Sequence, residues 1–211
     1  MARNAENPRP IEGYLPDSLP IIGVAGQLGS GKGEVSKVLE ERFNFITRPV
    51  SDAIRDYAHK HKIPLKSRTD YWRTNSEIIE RFGEDYLLDA TLEKIGGLYV
   101  ASNDPVLGAS IDGLRIVSNA QRLKSMEGAL LLGITADRDL RLQRALERPN
   151  RPEDKDIEKQ FKKVERDEGA PIDEILKAAD IIIPNEGTPE DLRESVLEII
   201  ADTYDLIPID D

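Results

Sequence analysis

The chain contains no cysteine and only two histidines, His59 and His61. Disulfide scaffolds, thiolate zinc sites and cysteine nucleophiles are therefore excluded, and a metal ion would have to be held mainly by oxygen ligands. Long hydrophobic runs are also absent. The longest, near Ala129–Leu132 and Ile181–Ile183, fall far short of the ~20 apolar residues that a membrane-spanning helix needs, so we expect no membrane partner.

Basic residues are the minority of the charged ones: 29 Lys and Arg stand against 40 Asp and Glu, which gives a formal net charge of −11 at pH 7. This acidic excess argues against sequence-independent binding of nucleic acid, and a phosphate-bearing ligand would have to meet local basic groups. Residues 1–20 contain four prolines and no apolar core of the kind that a secretory signal carries. We therefore expect a cytoplasmic protein with a flexible N-terminal arm over 1–19 and an acidic C-terminal tail over 206–211.

The 211 residues, 39% of them hydrophobic, are enough for one full core, so we expect a single domain over 20–205, as a monomer or a homodimer. Beyond the arm, short β-branched segments alternate with helical patterns, which is typical of βαβ units with a parallel sheet. The predicted strands are Ile21–Ala25, Phe45–Val50, Val106–Ile111, Ala129–Ile134 and Asp180–Ile183, and the predicted helical regions are Glu34–Phe43, Ser51–His61, Asp70–Ile95 and a last helix capped by Thr188.

The glycine-rich segment Gly26–Gly33 lies directly between the first predicted strand and the first predicted helix. Backbone N–H groups of such a loop, together with a helix N-terminus, form a concave anion site, and Lys32 can reach the outer phosphates of a nucleotide. The order strand, Gly-x4-Gly-Lys, helix favours a phosphate loop over a flexible glycine turn. Gly33 departs from the general pattern, because a magnesium-binding Ser or Thr usually follows the lysine.

The segment Gly29–Gly33 resembles the loop of adenylate kinase and related nucleoside monophosphate kinases, in which Lys-Gly-Thr occurs. In this chain Glu34 takes the position of the threonine. A carboxylate so near a triphosphate would repel it, unless the carboxylate turns outward or helps to hold Mg²⁺ through water. The resemblance implies a three-layer P-loop kinase fold of the α/β class, with ATP and Mg²⁺ as cofactors, a helical acceptor-binding insert over 51–96 and a short lid over 148–169.

Two further segments resemble the acceptor-binding motifs of the same kinases. Ser51–Arg55 is similar to Gly-Asp-x-x-Arg, which implies that Arg55 pairs with the acceptor phosphate; a helix cap and a solvated arginine are the alternative. Asp112–Arg115 is similar to Asp-Gly-x-Pro-Arg without the proline. The resemblance implies that Asp112 orients water on Mg²⁺ and that Arg115 clamps the acceptor phosphate, whereas a simple turn is the alternative.

The C-terminal half carries weaker resemblances. Arg144 and Arg148 stand four residues apart on a predicted helix and share a face, as do two arginines of adenylate kinases that cover the adenine and touch the phosphates. An exposed, charged helical hairpin is the alternative. Ala179–Thr188 is similar to the last strand and turn of dephospho-coenzyme A kinases, where the backbone past an asparagine touches adenine. Trp72 is expected to pack in the core or in the acceptor region.

Taken together, the resemblance implies ATP-dependent phosphoryl transfer to a nucleoside or deoxynucleoside monophosphate. A dephospho-coenzyme A kinase with Asp52 as the base, or a non-kinase regulatory ATPase, stays open as an alternative. The residues expected to supply catalytic charge are Lys32, Arg55, Arg115, Arg144 and Arg148. Nucleotide contacts are expected at Gly26, Leu28, Gly29, Ser30, Gly31, Lys32, Gly33, Glu34, Arg144 and Gly187, acceptor contacts at Asp52, Arg55, Arg115 and Asn119, and a water-mediated magnesium contact at Asp112.

Overall fold

The computed structural model describes residues 15–16, 18–147 and 157–209, except for the side chains of 157–160. In these residues the strands are β1 (Ile21–Gly26), β2 (Phe45–Pro49), β3 (Gly108–Asp112), β4 (Ala129–Thr135) and β5 (Ile181–Pro184). The helices are α1 (Lys32–Phe43), α2 (Val50–Lys60), α3 (Arg68–Phe82), α4 (Tyr86–Ala101), α5 (Val117–Lys124), α6 (Arg138–Glu147), α7 (Ile157–Ala178) and α8 (Pro189–Tyr204). None of these described helices has both the length and the apolar character needed to cross a membrane.

The five strands form one parallel sheet in the order β2-β3-β1-β4-β5. All six residues of the central strand β1 are buried, as expected for a parallel strand that is covered on both faces. The carboxyl ends of β1 and β3 lie side by side, and ligands of open α/β sheets bind at this end of the strands. The sheet thus brings the glycine-rich loop after β1 next to Asp112 at the end of β3.

Helices cover both faces of the sheet and form two cores. One core joins Ala25 to side chains of α4, α5 and α7, including Leu88, Leu123 and Ile175. The other core joins Val24 to α1 and α8 on the opposite face. The predicted three-layer α/β fold with five parallel strands is therefore confirmed.

The predicted helical region Asp70–Ile95 consists of two helices, α3 and α4. Ser67 and Asp70 form a capping box that starts α3, and Gly83 ends it with a φ of 91°, a backbone conformation that favours glycine. At the last helix the predicted cap is confirmed: Asp191 N donates to Thr188 Oγ1 at 3.2 Å, and Thr188 N donates to Asp191 Oδ2 at 2.7 Å.

Both ends of the described chain contact the domain. Leu15 and Leu19, in the last part of the predicted arm, are buried in the core with α4 and α5; residues 1–14 and 17 lie outside the described part. Near the C-terminus, Ile209 N donates to Arg42 O and Arg42 Nε donates to Ile209 O, both at 2.7 Å. The tail therefore contacts the last turn of α1 through Ile209.

The predicted lid over 148–169 is described only from residue 157 onward. Helix α7 continues past 169 to Ala178 and contains Pro171. Its buried Ile175 packs in the core against β1, so this helix is part of the domain wall as well as of the predicted lid. The remaining lid residues, 148–156 with Arg148, lie outside the described residues.

Candidate active site

Close contacts with the rest of the protein constrain the conformation of the glycine-rich loop. β1 ends at Gly26 and α1 begins at Lys32, so the loop wraps the N-terminus of α1. Gly29 and Gly31 have φ values of 82° and 109°, which favour glycine. A Cβ at Gly29 would collide with the backbone of Arg141, and a Cβ at Gly31 would collide with the side-chain amide of Asn185.

Lys32 folds back over this loop. Its Nζ donates hydrogen bonds to Gly26 O at 2.9 Å and to Gln27 O at 3.2 Å. The ammonium group therefore lies beside the backbone concavity in which a phosphate would sit. This geometry fits the predicted role of Lys32 toward the outer phosphates, which stays a prediction.

Two supports of the loop were not found by sequence reasoning. The buried Arg141 of α6 donates to Leu28 O at 3.3 Å and pairs with Glu165 at 2.8 Å. Asn185, after β5, donates from Nδ2 to Ser30 O at 2.8 Å. Arg141 lies in a helix of mixed charge, a pattern that indicates solvent exposure, so the sequence carries no signal for its burial.

A cavity of about 680 Å³ adjoins the loop, which is within the usual size of small-molecule sites. It brings together residues that lie far apart in the sequence, namely Lys32, Arg55, Asp112, Arg115 and Asn119. Five cationic side chains line it, namely Lys32, Arg48, Arg55, Arg68 and Arg115. Within an acidic protein, this cavity is therefore a local basic site.

Arg55 is held in place by neighbours on α2 and α3. Its Nε donates to the Tyr71 hydroxyl at 3.0 Å, and its Nη1 donates to Ser51 Oγ at 3.1 Å and to Asp52 Oδ1 at 2.7 Å. Burial alone would lower the pKa of Arg55, but the bonds to Tyr71 and Asp52 outweigh it and raise the pKa above its ordinary value. Asp52 itself is not among the residues that line the cavity, so the structure makes it a partner of Arg55.

Arg115 is paired with Glu168 of α7, a residue that is 8% exposed. Arg68 Nη1 lies 3.5 Å from the same carboxylate, and Trp72 Nε1 donates to it at 3.0 Å. Burial lowers the pKa of Arg115 to about 10, with Arg68 acting in the same direction and Asp112 against it, so Arg115 remains charged at neutral pH. The sequence did not reveal that Arg68 and Glu168 lie here, whereas Trp72 lines the cavity, which fits its expected place in the core or the acceptor region.

Several residues that line the cavity have a buried side-chain oxygen atom without a hydrogen-bond partner among the described residues. Asp112 Oδ1 and Asn119 Oδ1 are buried and accept no hydrogen bond from the described residues. Asn119 is 2% exposed, and its Nδ2 donates to Glu84 O at 3.3 Å. The carboxylate oxygen suits hydrated Mg²⁺. No three metal-ligating His, Asp or Glu side chains cluster in the described part of the chain, so a magnesium ion here would also need phosphate and water oxygens.

The side chain of Glu34 is turned toward α8 and not toward the loop. Its Oε1 accepts a hydrogen bond from Arg193 Nε at 2.5 Å. The outward orientation, one of the two that the sequence left open, is therefore the one observed. The expected nucleotide contact by this carboxylate is not supported.

Arg144 also has structural partners. It donates to Asn185 O and to Gly187 O, both at 2.9 Å, and so fixes the turn between β5 and α8. Arg144 is not among the residues lining the cavity. The predicted contacts of Arg144 and of Gly187 with ATP stay predictions; in the structure the two residues are adjacent.

The sheet order, the glycine-rich loop and the adjoining basic cavity define a P-loop α/β domain with a kinase-like fold. A family model described as an AAA domain matches residues 22–169, and the chain belongs to this family.

Two relatives match over most of their length. The UPF0200 protein of Sulfurisphaera tokodaii is 25% identical, over 86% of this chain and 96% of its own. The UPF0200 protein PH1008 of Pyrococcus horikoshii is 27% identical, with the same two coverages. These names state no activity, so the similarity does not identify an acceptor.

Two solved structures share the fold. A shikimate kinase from Bacteroides thetaiotaomicron superposes with a TM-score of 0.51 and 17% identity, covering 89% of this chain and 99% of that one. A sugar kinase from Janibacter sp. HTCC2649 superposes with a TM-score of 0.50 and 16% identity, covering 86% of this chain and 94% of that one. At these identities the likeness concerns the fold alone.

Proposed function

We propose that this protein transfers the γ-phosphoryl group of ATP to a nucleoside or deoxynucleoside monophosphate. The observation that carries the proposal is that Lys32 of the phosphate loop lines the same cavity as Arg55 and Arg115. A kinase must hold the donor and the acceptor in line within one site, because its catalysis consists of positioning and charge neutralisation. A nucleotide switch without an acceptor has no need of this second set of cations.

Each cation has a distinct role in this proposal. Lys32 would neutralise charge on the β- and γ-phosphates, while Arg55 and Arg115 would hold the phosphate of the acceptor. An oxygen of that phosphate attacks the γ-phosphorus, and the bond to the bridging β–γ oxygen breaks to release ADP. No side-chain base is required, since the attacking phosphate oxygen is already ionised.

Magnesium fits this cavity at Asp112, whose buried Oδ1 accepts no hydrogen bond from the described residues. Asp112 would orient water molecules of the hydrated ion. When bound, Mg²⁺ supplies additional positive charge to the β- and γ-phosphates. The residues of this chain then bind and orient the two substrates around that charge.

A hydroxyl acceptor, as in a dephospho-coenzyme A kinase, is the second candidate. It needs a base, and Asp52 is poorly suited, because Arg55 already holds its carboxylate at 2.7 Å and it does not line the cavity. Asp112 keeps this candidate open, since it lines the cavity and has a carboxylate oxygen without a hydrogen-bond partner among the described residues, which could accept a proton. The bonding of Asp52 favours the phosphate acceptor.

A screen for ADP formation tests the proposal. Mg-ATP would be supplied with each nucleoside and deoxynucleoside monophosphate and with dephospho-coenzyme A, and the products would be identified by ³¹P NMR. We expect ADP formation to require a monophosphate, and Lys32→Ala to abolish turnover without changing the melting temperature.

Three outcomes would contradict this expectation in different ways. Turnover with dephospho-coenzyme A alone would favour the second candidate. ATP hydrolysis that no acceptor changes would indicate a regulatory ATPase. Near-normal turnover by a folded Lys32→Ala variant would remove the phosphate loop from the site.

A further inference from the structure

The cavity contains an anion that belongs to the protein itself. The carboxylate of Glu168 is contacted by the guanidinium groups of Arg115 and Arg68 and by the indole N–H of Trp72. Arg68 and Trp72 belong to α3, Arg115 follows β3, and Glu168 belongs to α7. One carboxylate thus joins three parts of the fold within the proposed acceptor site.

This set of donors is suited to anions in general. Guanidinium groups form paired, charge-assisted hydrogen bonds with carboxylates and with phosphate monoesters alike. Arg68, Arg115, Trp72 and Glu168 all line the one cavity. A phosphate that enters the cavity therefore meets cations that already hold a carboxylate, and the two anions compete.

We propose that Glu168 is a resident competitor: it fills the anion site formed by Arg68, Arg115 and Trp72 in the free protein, and the phosphate monoester of the acceptor displaces it. The identity of the displacing ligand as an acceptor rests on the proposed function; the competition at the anion site does not. Displacement removes the ionic link between α3 and α7. Acceptor binding is then coupled to the position of α7.

The exchange is physically feasible because the cations keep a counter-ion throughout. Removing one member of a buried ion pair is strongly unfavourable when its partner is left unpaired. In this exchange the ligand phosphate replaces the carboxylate, and Glu168 gains water. A dianionic phosphate monoester attracts two guanidinium groups more strongly than a singly charged group does, so Glu168 raises the selectivity of the cavity for phosphate monoesters.

The fold offers a direct reporter of displacement. Trp72 is the only tryptophan of the chain, and its Nε1–H donates to Glu168 Oε1 at 3.0 Å. Lys163, also on α7, lies over the same ring, with Nζ 5.1 Å from the ring centroid. Both contacts of the indole with α7 would change with the ion pair, so Trp72 emission should shift when Glu168 is displaced.

The experiment compares the wild type with Glu168→Gln, after the phosphate loop has been saturated with MgADP. Inorganic phosphate and then individual nucleoside monophosphates are titrated, with Trp72 emission and calorimetry as readouts. We expect the variant to bind phosphate at least about tenfold more tightly, because no internal competitor lowers the apparent affinity, and to lose most of the emission change. The control is Asp167→Asn, which also replaces a carboxylate by an amide, at the neighbouring residue whose side chain pairs with Arg166. This variant should behave as the wild type.

Weaker or unchanged phosphate binding by Glu168→Gln would overturn the inference and make Glu168 a positioning residue for the arginines. Binding to the wild type without an emission change would also overturn it. If Glu168→Gln does not fold, Glu168→Asp, which withdraws the carboxylate by one methylene, should show an intermediate gain in affinity. A protein that exchanges Glu168 for phosphate but transfers no phosphoryl group would contradict the proposed function alone, whereas turnover without displacement would contradict this inference alone.

Discussion

Arg55 shows how a single side chain is prepared for an anionic ligand. Tyr71, Ser51 and Asp52 hold its guanidinium group from two helices, so little side-chain freedom is left to lose on binding. The fixed position of Arg55 at the cavity wall favours a role in ligand binding over the alternative, a solvated surface arginine.

Replacing Arg55 tests its side of the cavity. Arg55→Ala should raise the KM for the acceptor by a factor that corresponds to a loss of about 2 to 4 kcal/mol of binding free energy, because the phosphate loses a charged partner. The KM for ATP should change little. Steady-state kinetics with each substrate varied in turn would measure both constants. Arg73→Ala, at an exposed arginine of α3, is the control. A rise in the KM for ATP alone would mean that the donor and acceptor sites are reversed.

At Glu34, in contrast to Arg55, we expect a substitution to leave ligand binding unchanged. Because its carboxylate pairs with Arg193 on α8, Glu34→Thr should leave the magnesium dependence of ATP binding unchanged and slightly lower the melting temperature. Calorimetric titration of ATP with and without Mg²⁺ would measure the dependence. Arg193→Ala should lower the melting temperature similarly. A reduced effect of Mg²⁺ in Glu34→Thr would show that the carboxylate turns toward the phosphates once they bind.

At the scale of the elements, α8 is held at its start by a capping box and a turn. Thr188 caps the helix, and Arg144 binds the carbonyl of Gly187 just before it. The carboxylate of Asp191 accepts hydrogen bonds from the backbone and the hydroxyl of Thr188, which lower the pKa of Asp191. The beginning of α8 is therefore fixed by residues close in sequence and by one arginine from α6.

Removing the cap should be measurable in the whole domain. Thr188→Ala should lower the free energy of unfolding by about 1 kcal/mol, the usual cost of losing a side-chain N-cap. Thr203→Ala, the same change at an exposed residue near the end of α8, should have a smaller effect. Urea unfolding of the wild type and the two variants would measure the loss of unfolding free energy in each. Equal losses in both variants would refute a capping role for Thr188.

The helices and strands were easier to predict from the sequence than the residues with which their side chains form hydrogen bonds and ion pairs. The five strands, the phosphate loop and the Thr188 cap depend on patterns within a few neighbouring residues. By contrast, the bond from Arg68 to Glu168 spans 100 residues and the bond from Arg141 to Leu28 spans 113. Glu168 lies in a stretch of mixed charge that is typical of a solvated helix, so only the tertiary fold explains its burial.

At the scale of the whole molecule, α8 also ties the sheet to the turn before β4. The Tyr204 hydroxyl donates to Gly128 O at 3.0 Å. Burial raises the pKa of Tyr204 to about 12, and the nearby charge of Asp180 adds to the effect. The unfolded chain would ionise this phenol near pH 10, so its contribution to stability is present below that pH and is lost as the pH rises toward 12.

The free energy of unfolding should therefore fall between about pH 10 and pH 12. Tyr204→Phe should show a shallower fall over that range, because the buried group that must ionise is missing. Chemical unfolding at a series of alkaline pH values would measure both slopes. Identical slopes would show that other groups account for the alkaline loss.

The central place of β1 also has a consequence for how the protein is made. β1 is the first strand of the described chain, yet its partners β3 and β4 follow roughly 90 and 110 residues later, a separation that slows folding. On the ribosome, the apolar β1 and the phosphate loop are made before either partner strand, so one edge of β1 stays unpaired until β3 has been synthesised and the other until β4 has been. The phosphate loop is thus translated well before the strands that flank β1, and the unpaired edges of β1 favour aggregation of the nascent chain during that interval.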